Sequence, residues 1–165
     1  MIEVQNITKS FDGTEVLKGI STVFEKGKTN LIIGQSGSGK TVFLKCLLGL
    51  FEADSGKILF EGKRLKKMSV KERSVLRQEM GMVFQGSALF DSMTVEENIM
   101  FPMQMFTQKK NEEIRDRANS VIKRVNLVNA NEKFPDEISG GMKKRVAIAR
   151  AIVMNPKYLF CDEPN

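Results

Sequence analysis

The sequence predicts an α/β fold in which a parallel sheet is covered by helices on both faces. Three observations predict it. Short apolar stretches bounded by glycine alternate with longer stretches whose apolar residues recur every three or four positions, the signature of strands alternating with helices. One glycine-rich run, Gly34-Gln35-Ser36-Gly37-Ser38-Gly39-Lys40-Thr41, lies between a strand candidate and a helix candidate. A last apolar stretch runs directly into Asp162-Glu163-Pro164.

The elements follow in chain order. Residues 1–33 read as β-structure, beginning Ile2-Glu3-Val4-Gln5-Asn6-Ile7, with Asp12-Gly13 marking a turn. This start carries no signal-peptide pattern. Residues 29–33 (TNLII), bounded by Gly27 and Gly34, read as a short buried strand, and VFLKCLLGLF after Thr41 reads as a helix. Residues 56–61 (GKILFE) are a further strand candidate, 69–79 a helix, and 80–84 a short apolar strand leading to Gln85. From 94 to about 129 the reading is mostly helical, starting at Thr94 with Glu96 and Glu97 behind it. Residues 111–127 mix charge with apolar spacing as a solvent-exposed helix does. Pro135 breaks the chain before Ile138-Ser139-Gly140-Gly141; a helix over 142–154 and a strand over 157–161 close the sequence.

Composition narrows the chemistry. The 165 residues suit one domain with a real core. The chain has no histidine, which excludes Ser-His-Asp and Cys-His catalysis and the common zinc sites within it. Cys46 and Cys161 are far apart in apolar contexts and read as buried small hydrophobes, in keeping with a reducing compartment. No apolar run is long enough to span a bilayer, so a membrane role requires a separate partner. The net charge of +6 permits nucleic-acid or anionic-lipid contact. Its basic clusters (Lys63-Arg64, Lys66-Lys67, Lys109-Lys110, Lys143-Lys144-Arg145) are short, lack a nucleic-acid-binding motif beside them, and read as solvated faces. No nucleic-acid partner is expected.

The run from Gly34 to Thr41 matches G-x-x-x-x-G-K-[ST] at every fixed position. Glycines let the backbone approach an anion without a Cβ in the way, successive N–H groups form a concave nest, and the following helix adds its positive end. Lys40 would reach the β- and γ-phosphates of a nucleotide and the Thr41 hydroxyl would hold Mg²⁺. The plain alternative, a flexible glycine turn, leaves the lysine, the threonine and the flanking strand and helix unexplained. Ser139-Gly140-Gly141 precedes another helix and is either a second helix-N-terminal anion site or a simple serine cap with a glycine turn. Asp162-Glu163 is either a surface acidic pair or the carboxylate end of a metal and nucleotide site.

Taken together, these segments resemble the ATP-binding cassette (ABC) ATPases, the motor domains of ABC transporters, over the entire chain. Gly34–Thr41 is similar to the family's Walker A loop, Gln85 to its Q-loop glutamine, Ser139-Gly140-Gly141 to its signature, and Asp162-Glu163 to the end of Walker B. The resemblance implies a P-loop ATPase with a parallel core sheet, an N-terminal antiparallel β part and a helical subdomain. The core and β part would take about 1–85 and 156–165, and the helical subdomain about 86–155. It implies ATP and Mg²⁺ as cofactors. Asp162 and Gln85 would join Thr41 around the metal, and Glu163 would orient or deprotonate the attacking water, with Lys40 and Gln85 assisting. Phe11 would stack on adenine, with Val16 beside it. The signature turn would face the γ-phosphate held by a second copy in a head-to-tail nucleotide sandwich.

One departure is informative: most of the family has glutamine after Ser-Gly-Gly, and this chain has Met142. Together with Gly86-Ser87-Ala88-Leu89-Phe90-Asp91-Ser92-Met93-Thr94-Val95, it resembles the Mla/Mce-type ATPases that drive phospholipid trafficking in the bacterial envelope. That implies an integral-membrane permease as partner and a location on the cytoplasmic face of the inner membrane, with the segment after Gln85 receiving the permease. The apolar residues there (Leu89, Phe90, Met93, Ile99, Phe101, Met103, Met105, Phe106) read equally as ordinary core. A soluble DNA-maintenance ABC ATPase would place a long coiled coil between the loop and the signature, and residues 41–138 show no sustained heptads. The resemblance also implies further chain beyond Asn165, carrying a switch histidine and a strand that lies between the Walker A and Walker B strands. The expectation is an N-terminal fragment, incomplete at its C-terminus, that hydrolyses ATP weakly or not at all.

Overall fold

The computed structural model describes residues 1–162; Glu163, Pro164 and Asn165 lie outside the described residues. The chain forms two compact units, Met1–Ser74 and a second that begins at Val75.

The first unit is built on an antiparallel sheet of β1 (Ile2–Phe11), β2 (Thr14–Phe24), β3 (Ser55–Phe60) and β4 (Lys63–Arg64), in the order β2-β1-β3-β4. Its hairpin turn is where the sequence marks one. Phe11 pairs with Thr14, and Asp12 and Gly13 take φ of 47° and 78°, the two positive angles that a tight hairpin matching strand twist requires. Irregular pairing in β1 is pinned at Asn6, whose N–H donates to Ser21 Oγ at 2.9 Å while the Ser21 hydroxyl donates to Asn6 Oδ1 at 2.8 Å. Helix α1 (Lys40–Leu47) belongs to this unit, and Phe43 brings its ring to 6.2 Å from that of Phe24 in β2. Ile7, Leu17, Cys46 and Leu47 are fully buried. Burial pushes the Cys46 thiol above its usual pKa.

Residues 29–33 depart from the expectation of a buried strand. They take no regular secondary structure, and Leu31 and Ile33 are 84 % and 83 % exposed. A strand exists by ladder pairing, and no strand among the described residues pairs with this segment. Local composition reads as a strand, but composition alone does not supply the ladder that makes one.

Helix α2 (Val70–Gln78) leads into the second unit, where β5 (Met80–Val83) and β6 (Tyr158–Cys161) pair in parallel, Met80 opposite Tyr158 and Val83 opposite Cys161. This pair is the parallel sheet among the described residues. Against it and beside it stand α3 (Val95–Phe106), α4 (Asn111–Arg124) and α5 (Gly140–Ile152). The expected helical stretch from 94 is thus two helices. Helix α3 starts at Thr94, as expected, through a reciprocal cap in which Thr94 N–H donates to Glu97 Oε2 and Glu97 N–H to Thr94 Oγ1. Val95, Ile99, Met103, Ala118, Val121, Ala130, Val146 and Ala149 form the core between the helices. The Arg117 side chain on α4 donates to the carbonyls of Val153 (2.9 Å) and Ile152 (3.4 Å), closing the C-terminal end of α5. α5 lies so close to β5 that a Cβ on Gly81 would sit 2.3 Å from the carbonyl oxygen of Ala151. Only glycine fits there. Cys161, expected to be buried, is exposed on β6, because alternation along that strand turns it outward.

Candidate nucleotide site

In the first unit the loop 34–39 closes onto the start of α1. Gly39 is the residue that precedes the helix, with φ of 93°, and its carbonyl accepts from Phe43 N–H at 2.8 Å. No L-residue adopts that angle without strain, and a Cβ there would lie 3.0 Å from Val16 Cγ1 and 3.2 Å from Leu17 Cδ2. β2 therefore backs the loop, with Val16 against Gly39. Upstream, Ser38 N–H bonds to the Gln35 carbonyl at 3.2 Å, and a Cβ on Gly34 would fall 2.7 Å from Ser38 Oγ. A side chain at Gly34 would therefore collide with Ser38.

Lys40 folds onto this loop. Its ammonium donates to the carbonyls of Gly34 (2.9 Å) and Gln35 (3.0 Å), so the positive charge is held over the loop itself. Gly39 offers α1 no side-chain cap, and no acidic residue of the helix itself occupies its first turn. A cation, a glycine nest and a helix N-terminus at one place fit a polyphosphate. Thr41, one residue on, carries a hydroxyl oxygen, a donor type that would suit a hard cation.

Phe11 ends β1 and is 38 % exposed. Its ring meets Phe51 edge-on at 5.5 Å, and Lys9 Nζ lies 5.4 Å from its centroid. Lys9 is anchored to Asp54 at 2.7 Å. The Lys9 hydrogen bond, helped by the Ser10 N–H, holds the Asp54 carboxyl below its usual range. Phe11, Val16 and Gly34–Thr41 thus share one unit.

The second unit gathers the rest. β5 and β6 run in parallel and end side by side, so Gln85 and Asp162 leave from the same carboxyl end of the sheet, where open α/β sheets carry ligands. The ladder continues one step beyond the strands, with Asp162 N–H donating to the Val83 carbonyl at 3.0 Å. Asp162 is 9 % exposed and Gln85 is exposed. Ser139 caps α5, its Oγ accepting from Met142 N–H at 3.3 Å, and Gly140 and Gly141 have open space where a Cβ would point. The serine-cap reading of this turn is therefore correct as local structure, and it leaves the glycine surface open. Glu163 lies outside the described residues. No group of three or more His, Cys, Asp or Glu residues that could hold a metal ion forms among the described residues.

Two residues that sequence reasoning missed shape the segment after Gln85. Asn98 on α3 is fully buried; its amide donates to the carbonyls of Phe90, Met93 and Thr94 at 3.0 Å each, and its oxygen accepts from Phe90 N–H at 2.9 Å. Arg150 on α5 donates to the Ser87 carbonyl at 3.0 Å and lies over the Phe90 ring. The available signal is a polar residue on the apolar face of each helix, which periodicity alone does not separate from a solvated position.

The sequence profile described as ABC transporter matches residues 17–165. This chain belongs to the ABC transporter ATP-binding family. Among its curated relatives, the "Probable ribonucleotide transport ATP-binding protein mkl" of Mycobacterium leprae is 42 % identical over 164 residues, covering 99 % of this chain and 47 % of that protein. The "Methionine import ATP-binding protein MetN" of Clostridium tetani is 41 % identical, covering 99 % of this chain and 51 % of the relative. The chain spans about half the length of these curated relatives. Among solved structures, the dimeric ATP-binding cassette MJ0796 bound to ADP and Pi matches with a TM-score of 0.91 and 29 % identity, over 100 % of this chain and 75 % of the other. The ABC ATPase fold expected from the sequence is the fold found. No helix among the described residues is long and apolar enough to cross a membrane.

Proposed function

We propose that this ABC ATPase chain binds MgATP through Gly34–Thr41 and serves a protein that hydrolyses it to drive transport through an integral-membrane permease. The observation that carries the reading is the Lys40 ammonium held over a glycine ring at the uncapped start of α1. In this reading the loop amides and Lys40 bind the β- and γ-phosphates, and Phe11 and Val16 take the base side. Thr41, Gln85 and Asp162 are the oxygen donors for Mg²⁺, which when bound neutralises phosphate charge. Glu163 orients the attacking water and accepts its proton. Ser139, Gly140 and Gly141 meet the nucleotide of a second copy, arranged head to tail, so that each site is completed by its partner. Residues 86–155 act as the helical subdomain, and the rest as the nucleotide-binding core.

The finer assignment is phospholipid trafficking at the cytoplasmic face of the bacterial inner membrane. It rests on Met142 after Ser139-Gly140-Gly141 and on the segment Gly86–Val95. The names of the relatives, ribonucleotide transport and methionine import, do not carry it.

The test is Glu163→Gln in the intact protein. MgATP affinity is expected to stay within about twofold while turnover falls by about a hundredfold or more, the scale of a lost general base. Wild-type turnover in that variant would remove Glu163 from its role and the reading with it.

A further inference from the structure

The segment after Gln85 is strained, and two polar side chains, one buried and one half-buried, hold it. Gly86, Ser87 and Ala88 take φ of 77°, 69° and 45°, three consecutive left-handed residues of which only the first is glycine. L-residues are strained in that region, so the turn persists only where its surroundings impose it. Asn98 grips the far end of the segment, from Phe90 to Thr94. At the near end the contact is Arg150, bonded to the Ser87 carbonyl and lying 5.7 Å over the Phe90 ring. Ser87 is itself 7 % exposed. Burial lowers the pKa of Arg150 from its usual value, so its charge is partly desolvated where it meets that carbonyl.

Arg150 sits on α5, the helix that Ser139 starts. The geometry points to Arg150 as a positioning residue for Gln85: it clamps the left-handed turn that follows Gln85 to the helix that carries the Ser139-Gly140-Gly141 turn. The guanidinium acts through the Ser87 carbonyl and the Phe90 ring. It fixes where the chain leaves Gln85, and so ties the glutamine to the same helix that presents the signature glycines. The inference rests on the reading that Gln85 serves the nucleotide site.

The test compares variants of the intact protein by steady-state ATPase kinetics. Arg150→Met keeps the stem and removes the donor. Its kcat is expected to fall roughly tenfold with KM for ATP unchanged within about twofold, because the ground-state phosphate contacts are elsewhere. Arg150→Lys keeps a donor for the Ser87 carbonyl and loses the planar stack on Phe90, so its kcat should recover most of that loss. Adding Gln85→Ala to Arg150→Met should cost nothing beyond the larger single loss, since both act through one residue. A methionine variant that lowers only the melting temperature would overturn the assignment. So would a lysine variant no faster than methionine, or a double variant whose losses multiply. If Arg150→Met does not fold, the lysine variant and its double with Gln85→Ala decide on the same criteria. Glu163→Gln in the same preparation separates the two levels. If it still turns over, the nucleotide-site reading fails; if it is inactive while Arg150→Met matches wild type, only the Arg150 assignment falls.

Discussion

Two glycine-rich turns each open a helix in this chain, and they open it differently. At α1 the residue before the helix is Gly39, left-handed at φ 93°, with no side-chain cap, and a lysine folded over the loop. At α5 the residue before the helix is Ser139, in extended conformation, and its hydroxyl caps the first turn. Both are helix N-termini with glycines and without acidic residues in the first turn. The first holds its lysine ammonium on the loop carbonyls of Gly34 and Gln35, and it demands glycine for its backbone angle. The difference teaches that two glycine-bearing helix starts can be built in opposite ways, one on backbone strain and a lysine folded onto its loop, the other on a serine cap; under the proposed function the first would bind phosphate within its own chain and the second would meet a ligand presented by another copy.

That contrast can be broken by substitution. Gly39→Ala is the larger perturbation, since it forces a Cβ into the left-handed region against Val16 and Leu17. Unfolding free energy by chemical denaturation is expected to fall by about 1–2 kcal/mol, with MgATP affinity falling alongside. Unchanged values of both would mean that the loop relaxes without cost and that its geometry is not imposed. Ser139→Ala is smaller, about 1 kcal/mol of stability from the lost cap. It should leave MgATP affinity of the single chain unchanged. A Ser139→Ala chain that binds MgATP more weakly as a monomer would erase the distinction between the two turns.

What the sequence made legible was local. Asp12-Gly13 announces its turn because two positive φ angles suit few residue pairs, and Thr94 with Glu97 announces α3 because a reciprocal cap is written within four residues. Gly34–Thr41 is legible for the same reason, each requirement of the loop being met by a residue type at fixed spacing. Residues 29–33 were misread because a strand depends on a neighbour that local composition does not reveal. Cys161 was misread because on a two-residue period an apolar context does not say which face a residue takes. Asn98 and Arg150 were missed because their partners, Phe90 to Thr94 and Ser87, are set by how α3 and α5 pack, a fact of tertiary structure. The site therefore reads well where its chemistry is contiguous, and poorly where a side chain reaches across from another helix.

The central claim is that Lys40 and the glycine ring grip the phosphates of a nucleotide, and calorimetric titration of MgATP into the intact protein and its Lys40→Ala variant tests it most directly. Saturable binding by the wild type, weakened about a hundredfold or more in the alanine variant as a charge-assisted contact is lost, is the predicted result. Equal affinity in the two proteins, or no binding by the wild type, would contradict it.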